Sequence, residues 1–104
     1  MKGLGNLGNM MKQAKRLQEE LERAQAEIEQ LKIDATAGGG MVKATVNGRG
    51  DLVDIAIERE VIDPEDPEML TALVIAAVQE AQRNAREESE RRLGPLAQGF
   101  GIPG

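Results

Sequence analysis

Basic side chains near the start of the sequence are the residues best suited to bind a ligand. Residues 1–18 contain four lysines or arginines and no acid. Such side chains bind phosphate groups, and these contacts position a protein on nucleic acid without reading its sequence. On a helix, four basic side chains lie opposite a heptad seam and stay exposed when the seam is buried: Lys12, Lys15, Arg16 and Arg23. They predict a phosphate-binding stripe; the alternative is an ordinary solvated helix face.

A second basic group belongs to a later predicted helix. Arg83 and Arg86 lie opposite its apolar face, and Arg91 and Arg92 follow the point where that face ends. These four arginines are further candidates for phosphate contact. The sequence has one aromatic residue, Phe100, so we do not expect it to bind single strands by stacking bases on aromatic rings.

The glycine-rich segment at residues 38–50, GGGMVKATVNGRG, could be a phosphate-binding loop. A P-loop requires a Gly-Lys pair, which the sequence lacks, and a dinucleotide fingerprint must open a helix. Both glycine clusters are instead followed by residues with the alternation of a β-strand. We therefore interpret them as turns that require positive φ angles.

Catalytic chemistry is disfavoured by composition. The sequence has no histidine and no cysteine, which removes the commonest general base, metal ligand and strongest nucleophile. The acidic stretch DPEDPE lacks the glycine of a calcium loop. We predict that the protein is not an enzyme and needs no cofactor, metal or small-molecule substrate.

A long first helix is predicted by apolar residues spaced three and four apart over residues 7–31. This seam either packs within its own chain or partly contacts a second copy, and its narrow width favours partial dimerisation. The predicted dimer interface comprises seam residues and two residues of the second strand: Leu17, Leu21, Ile28, Val42 and Val46.

Three strands and a second helix follow. Apolar residues alternate around residues 33–37, 42–46 and 53–57, and the short connections predict an antiparallel sheet. Asp66 before Pro67 predicts a helix N-cap, with the helix reaching about residue 93. We expect one α+β domain over residues 1–93 and a flexible Gly/Pro-rich tail over residues 94–104.

Charge and length bound the remaining possibilities. The 104-residue chain has a net charge of −5, which alone argues against nucleic acid, but acids and bases are segregated along it. Residues 58–68 carry six acids against one arginine. No stretch approaches a membrane span, so we expect a cytoplasmic protein with no membrane contact. The alternative to DNA binding is a protein–protein adaptor that uses the seam and the acidic surface.

Residues 38–58, GGGMVKATVNGRGDLVDIAIE, together with residues 62–85, IDPEDPEMLTALVIAAVQEAQRNA, resemble the bacterial YbaB/EbfC nucleoid-associated proteins. The MMKQAK segment of the first helix and the Gly-rich tail fit the same family, so the resemblance covers essentially the whole chain. It implies an α-β-β-β-α domain, a tweezer-shaped homodimer and binding to duplex DNA with little sequence preference. It also implies residence on the nucleoid and a role in organising, protecting or regulating DNA.

Overall fold

The computed structural model describes residues 2–99, and the side chains of residues 6–98. Its elements follow the predicted α-β-β-β-α order, with a short 3₁₀ helix after the third strand. Their bounds are α1, Lys2–Gln30; β1, Ile33–Ala37; β2, Val42–Val46; β3, Leu52–Ile57; the 3₁₀ helix, Arg59–Val61; and α2, Pro67–Gly99.

The three strands form one antiparallel sheet in the order β1-β2-β3. Ala35 pairs with Ala44, which in turn pairs with Ile55, so alternate residues of all three strands share one apolar face. Positive φ angles occur at Gly38, Gly39 and Gly40 in the first connection and at Gly50 in the second, among them 67° at Gly39 and 90° at Gly50, but not at Gly48. The interpretation of the glycine clusters as turns is thus confirmed.

The core lies between the sheet and α2. The β2 residues Val42 and Val46 are fully buried, as are Ala77 and Ala81 of α2. Alanine has a short side chain, so the helix can approach the strands closely. Because Val42 and Val46 have no exposed surface, they cannot contact a second copy in this arrangement. Their assignment to a dimer interface is corrected here: they belong to the core of the single chain.

The second helix begins as predicted and continues beyond its predicted end. The Met69 N–H donates to Oδ1 of Asp66 over 3.2 Å, which confirms the N-cap. The helix then passes through Gly94 and Pro95 to Gly99, whereas we expected a flexible tail from residue 94. Residues 100–104 of that expected tail lie outside the described residues.

The first helix contacts α2 rather than lying across the sheet. Burial along its seam rises toward its C-terminal end: Leu7 is 51% exposed, Leu17 and Leu21 are half-buried, and Ile28 is 4% exposed. The molecule is 79 Å long, whereas a helix of 33 residues such as α2 spans about 50 Å. Residues 2–16 of α1 therefore project as an extension, which we call the α1 arm.

Candidate nucleic-acid interface

The basic side chains of the α1 arm form one exposed group. Lys12, Lys15 and Arg16 are spaced by three and four residues, so they share one side of the helix. All three are exposed, and within residues 6–98 no carboxylate lies within ion-pair distance of any of them. Arg23, two turns further along the same side, is also exposed and unpaired among the described side chains. These cations are available to an anionic partner without breaking an internal contact.

The arginines of α2 are held differently. Arg83 pairs with Glu80 at 2.6 Å, while Arg91 and Arg92 both pair with Glu88, at 2.6 and 3.0 Å. Each of these carboxylates offsets positive charge that phosphate would otherwise meet. Arg86 is exposed and has no such partner in the described part of the chain. Of the four arginines predicted on α2, Arg86 is the best placed for phosphate contact.

Glu88 shows how closely these charges are coupled. Hydrogen bonds from Arg91 and Arg92 hold the pKa of the Glu88 carboxyl below its ordinary value of 4.5. The same contact raises the pKa of Arg91. Both ion pairs are therefore intact at neutral pH and are lost only as the pH falls below the usual range of a glutamate. Arg91 and Arg92 follow Glu88 by three and four residues, the spacings at which side chains meet on one side of a helix.

The β2–β3 turn, residues 47–51, does not offer its backbone to an anion. The N–H groups of Arg49 and Asp51 both donate to Oδ1 of Asn47, at 2.9 and 3.1 Å. The Gly50 N–H donates to the Asn47 carbonyl, and the Gly48 N–H donates to the carbonyl of Ile28. Because these donors are already used, the glycines here are structural and do not form a phosphate cradle.

One basic residue near this turn was not predicted as a site residue. Arg49 lines a shallow depression of ≈ 470 Å³ together with Arg86, Gln82 and Ser89. Its guanidinium also forms an ion pair with Glu29 of α1 at 2.6 Å. The spacing of residues within a hairpin turn carries no information about which helices the turn will contact, so sequence patterns could not identify this grouping.

Acidic residues collect at the other end of the sheet. The segment 58–68 follows β3, and its Glu58 N–H donates to the carbonyl of Met41, beside the β1–β2 turn. The α1 helix meets the sheet at the opposite, β2–β3 turn, through the contact of Gly48 with Ile28. The acids of segment 58–68 are thus separated from the α1 arm by the length of the sheet, whereas Glu19, Glu20 and Glu22 follow the arm directly on α1. The arm itself, residues 2–16, contains no acid, so it is locally basic within a chain of negative net charge.

Residues 2–99 contain no group of three or more acidic side chains arranged to hold a metal ion. None of the helices within that range is long and apolar enough to span a bilayer.

The fold and the exposed charges define a small α+β protein with a projecting basic helix. A model of the YbaB/EbfC DNA-binding family matches residues 2–100, and the chain belongs to that family. The resemblance noted in the sequence is thereby confirmed, and the family is one of DNA-binding proteins.

Relatives across bacteria agree with this assignment. A nucleoid-associated protein of Alkaliphilus metalliredigens is 43% identical over 104 residues, which span 100% of this chain and 91% of that protein. One from Streptomyces griseus is 46% identical and covers 98% of this chain and 93% of its own length. The crystal structure of an uncharacterized protein, HP0035, from Helicobacter pylori superposes with a TM-score of 0.70 at 22% identity, covering 86% of this chain and 91% of that one. That last likeness supports the fold.

Proposed function

We propose that this protein binds duplex DNA as a homodimer, with little sequence preference, and organises or protects DNA on the nucleoid. The single observation that carries the proposal is the α1 arm, where Lys12, Lys15 and Arg16 are exposed together and the described side chains include no ion-pair partner for them. Contacts of lysine and arginine with phosphate are independent of base sequence. The names of the relatives, which are nucleoid-associated proteins, support the proposed location on the nucleoid.

The homodimer is supported by apolar surface that one chain leaves uncovered. The sheet ends in an edge strand, β3, on which Leu52 and Val53 are 50% and 54% exposed. An exposed apolar edge strand readily pairs with another chain. Residues 69–78 of α2, MLTALVIAAV, are apolar on nearly every side of the helix. Such a helical segment is normally buried, yet Met69 and Ile75 are about half exposed. We assign the dimer surface to β3 and to the exposed side of the first half of α2, which lies over β1 and β2.

The seam of α1 has a smaller part in this arrangement than the sequence indicated. Ile28 is buried within its own chain, and Leu17 and Leu21 are already half-buried. The seam side chains of the α1 arm remain exposed, with Met10 at 63%. The basic residues lie on the opposite side of the arm, so a helix packed against the seam would leave them facing DNA.

The experiment that tests DNA binding compares two triple variants with the same net charge. One replaces Lys12, Lys15 and Arg16 by Glu; the control replaces Lys32, Lys43 and Arg59, which lie outside the α1 arm, by Glu. Both change six units of charge, so long-range repulsion is matched, but only the first removes the proposed phosphate contacts. Mobility shifts on random duplex should show at least a tenfold weaker affinity for the arm variant than for the control. Equal affinities would remove the arm from the site.

A further inference from the structure

The α1 arm has few connections that could fix its direction. Two residues, Leu31 and Lys32, join α1 to β1, and helix-to-helix packing joins α1 to α2. The additional connection is the β2–β3 turn, residues 47–51, which touches both helices. We propose that this turn is a bracket that sets the direction of the α1 arm, and that Gly48 and Arg49 are positioning residues for DNA binding. The second part rests on the proposed function.

The bracket grips α1 at its last turn. The Gly48 N–H donates to the Ile28 carbonyl over 2.9 Å. This carbonyl lies at the C-terminal end of the helix and also accepts from the Leu31 N–H over 3.2 Å. The approach is so close that a Cβ at position 48 would lie well under 3.0 Å from both the carbonyl oxygen and Cγ2 of Ile28. One residue further along, the Arg49 guanidinium pairs with the Glu29 carboxylate at 2.6 Å.

The same turn is held to α2. The hydroxyl group of Ser89 donates to the carbonyl of Gly48, and the side-chain amide of Gln82 donates to the carbonyl of Gly50 over 3.1 Å. Gly48 is therefore bonded to α1 through its N–H and to α2 through its C=O. A single peptide segment links the two helices.

The turn is rigid enough to transmit this geometry. Asn47 anchors it internally, because its side-chain oxygen accepts from the N–H groups of Arg49 and Asp51. The backbone N–H of Asn47 also donates to the carbonyl of Asp51 over 2.9 Å. Because the backbone N–H groups of the turn are hydrogen-bonded, we expect the turn to keep its conformation when the helices move relative to each other.

A small change of angle at the bracket would displace the basic side chains of the α1 arm by several ångströms, because they lie far from it along the helix. Lys15 lies 13 residues before Ile28, which is about 20 Å along a helix. A tilt of about 15° at the bracket would move Lys15 by about 5 Å, more than the ~3.4 Å axial spacing of phosphates along one strand. The basic side chains of the α1 arm would then still be present and exposed, but they would no longer lie opposite the DNA phosphates that they are to contact.

The first test uses glycine-to-alanine variants. Gly48→Ala adds the clashing Cβ, whereas the control Gly94→Ala adds one where no atom lies within 4 Å. The chain has no cysteine, so Asn9→Cys and Thr36→Cys can carry spin labels, diluted with unlabelled protein to isolate distances within a chain. The expected result is a shift or broadening of several ångströms for Gly48→Ala and the native distance for Gly94→Ala. An unchanged distance in folded Gly48→Ala protein would overturn the bracket.

A second pair of variants covers the case in which Gly48→Ala does not fold. Arg49→Glu breaks the pair with Glu29, and the double change Arg49→Glu with Glu29→Arg restores it in reverse. The single variant should broaden the distance distribution and the double variant should recover it, which a surface-charge effect alone would not produce. No change in the single variant, or no recovery in the double, would contradict the role of Arg49.

The distance measurement needs no DNA, so it stands even if the proposed function fails. The DNA measurement then tests positioning: Gly48→Ala should weaken binding to random duplex about fivefold with all arm cations present, and Gly94→Ala should not. A moved arm with undiminished DNA affinity would overturn the positioning role and leave DNA binding intact. Absence of DNA binding by the unmodified chain would contradict the proposed function and, with it, this positioning role.

Discussion

Individual charges decide which basic side chains can meet DNA. Glu88 holds Arg91 and Arg92, whereas Lys12, Lys15 and Arg16 have no such partner among the described side chains. Sequence spacing identified all of these residues as basic and exposed. Spacing could not show which of these side chains are free to bind phosphate. For Arg91 and Arg92 this depends on the side-chain conformation of Glu88, which pairs with both.

We expect Glu88→Gln to tighten binding to random duplex roughly threefold, on the scale of one surface charge contact. The change removes the carboxylate that offsets Arg91 and Arg92. Glu90→Gln is the control, since it alters net charge equally on an exposed neighbour that forms no ion pair among the described residues. Equal gains, read from binding isotherms at one salt concentration, would show that Arg91 and Arg92 do not approach DNA.

The lowered pKa of Glu88 sets the pH range over which that comparison should not depend on pH. Because its folded value is below 4.5, the pairs contribute above the ordinary glutamate pKa and are lost as the pH falls through the lower folded value. The difference between Glu88→Gln and the unmodified protein should therefore be constant from pH 6 to pH 8.

Elements were predictable where their signals are local. Alternating apolar residues and glycine turns identified the three strands to within a residue, and Asp66 with Pro67 marked the start of α2. The end of α2 was predicted wrongly at Gly94-Pro95, usually a stop signal, because the helix continues to Gly99. The contacts of the β2–β3 turn with both helices were not predictable either, since they join residues that are distant in sequence.

The N-cap of α2 provides a test at this scale. Asp66→Ala should lower the free energy of unfolding by about 1 kcal/mol, because the Met69 N–H loses its acceptor at the helix start. Glu65→Ala, one residue earlier, should change it by less than ~0.5 kcal/mol. Urea titrations at one fixed protein concentration make the comparison, since dimerisation would add to apparent stability. A loss of the same size in both variants would mean that the cap contributes little.

The whole molecule separates three surfaces along its length: the basic α1 arm, the apolar edge at β3 and α2, and the acidic segment 58–68. Periodicity placed the dimer contact on the α1 seam and on Val42 and Val46, but the fold buries those valines under α2. Alternation cannot distinguish an apolar residue covered by its own chain from one covered by a second copy. The exposed edge became visible only once the position of α2 over β1 and β2 was known.

Two lysine substitutions distinguish the possible dimer surfaces. Val53→Lys places a charge on the exposed edge of β3, and Met10→Lys places the same charge on the exposed seam of the α1 arm. Sedimentation at micromolar concentration should show a monomer for Val53→Lys and a dimer for Met10→Lys, because charge opposes pairing at a strand edge. The reverse pattern would assign the interface to the seam, and a monomeric unmodified protein would exclude the homodimer.

The salt dependence of DNA binding tests directly whether the α1 arm binds the phosphates of duplex DNA. Affinity should be measured between 50 and 200 mM salt for the unmodified protein and for the triple Glu variant of Lys12, Lys15 and Arg16, on two duplexes of unrelated sequence. Each phosphate contact contributes roughly 0.9 to the log–log slope, so loss of three per chain should lower the slope by about 2.7, or about 5 if both arms of a dimer engage. We expect that fall in slope, together with equal affinities of the unmodified protein for the two sequences. An unchanged slope in the variant, or strong preference for one duplex, would contradict it.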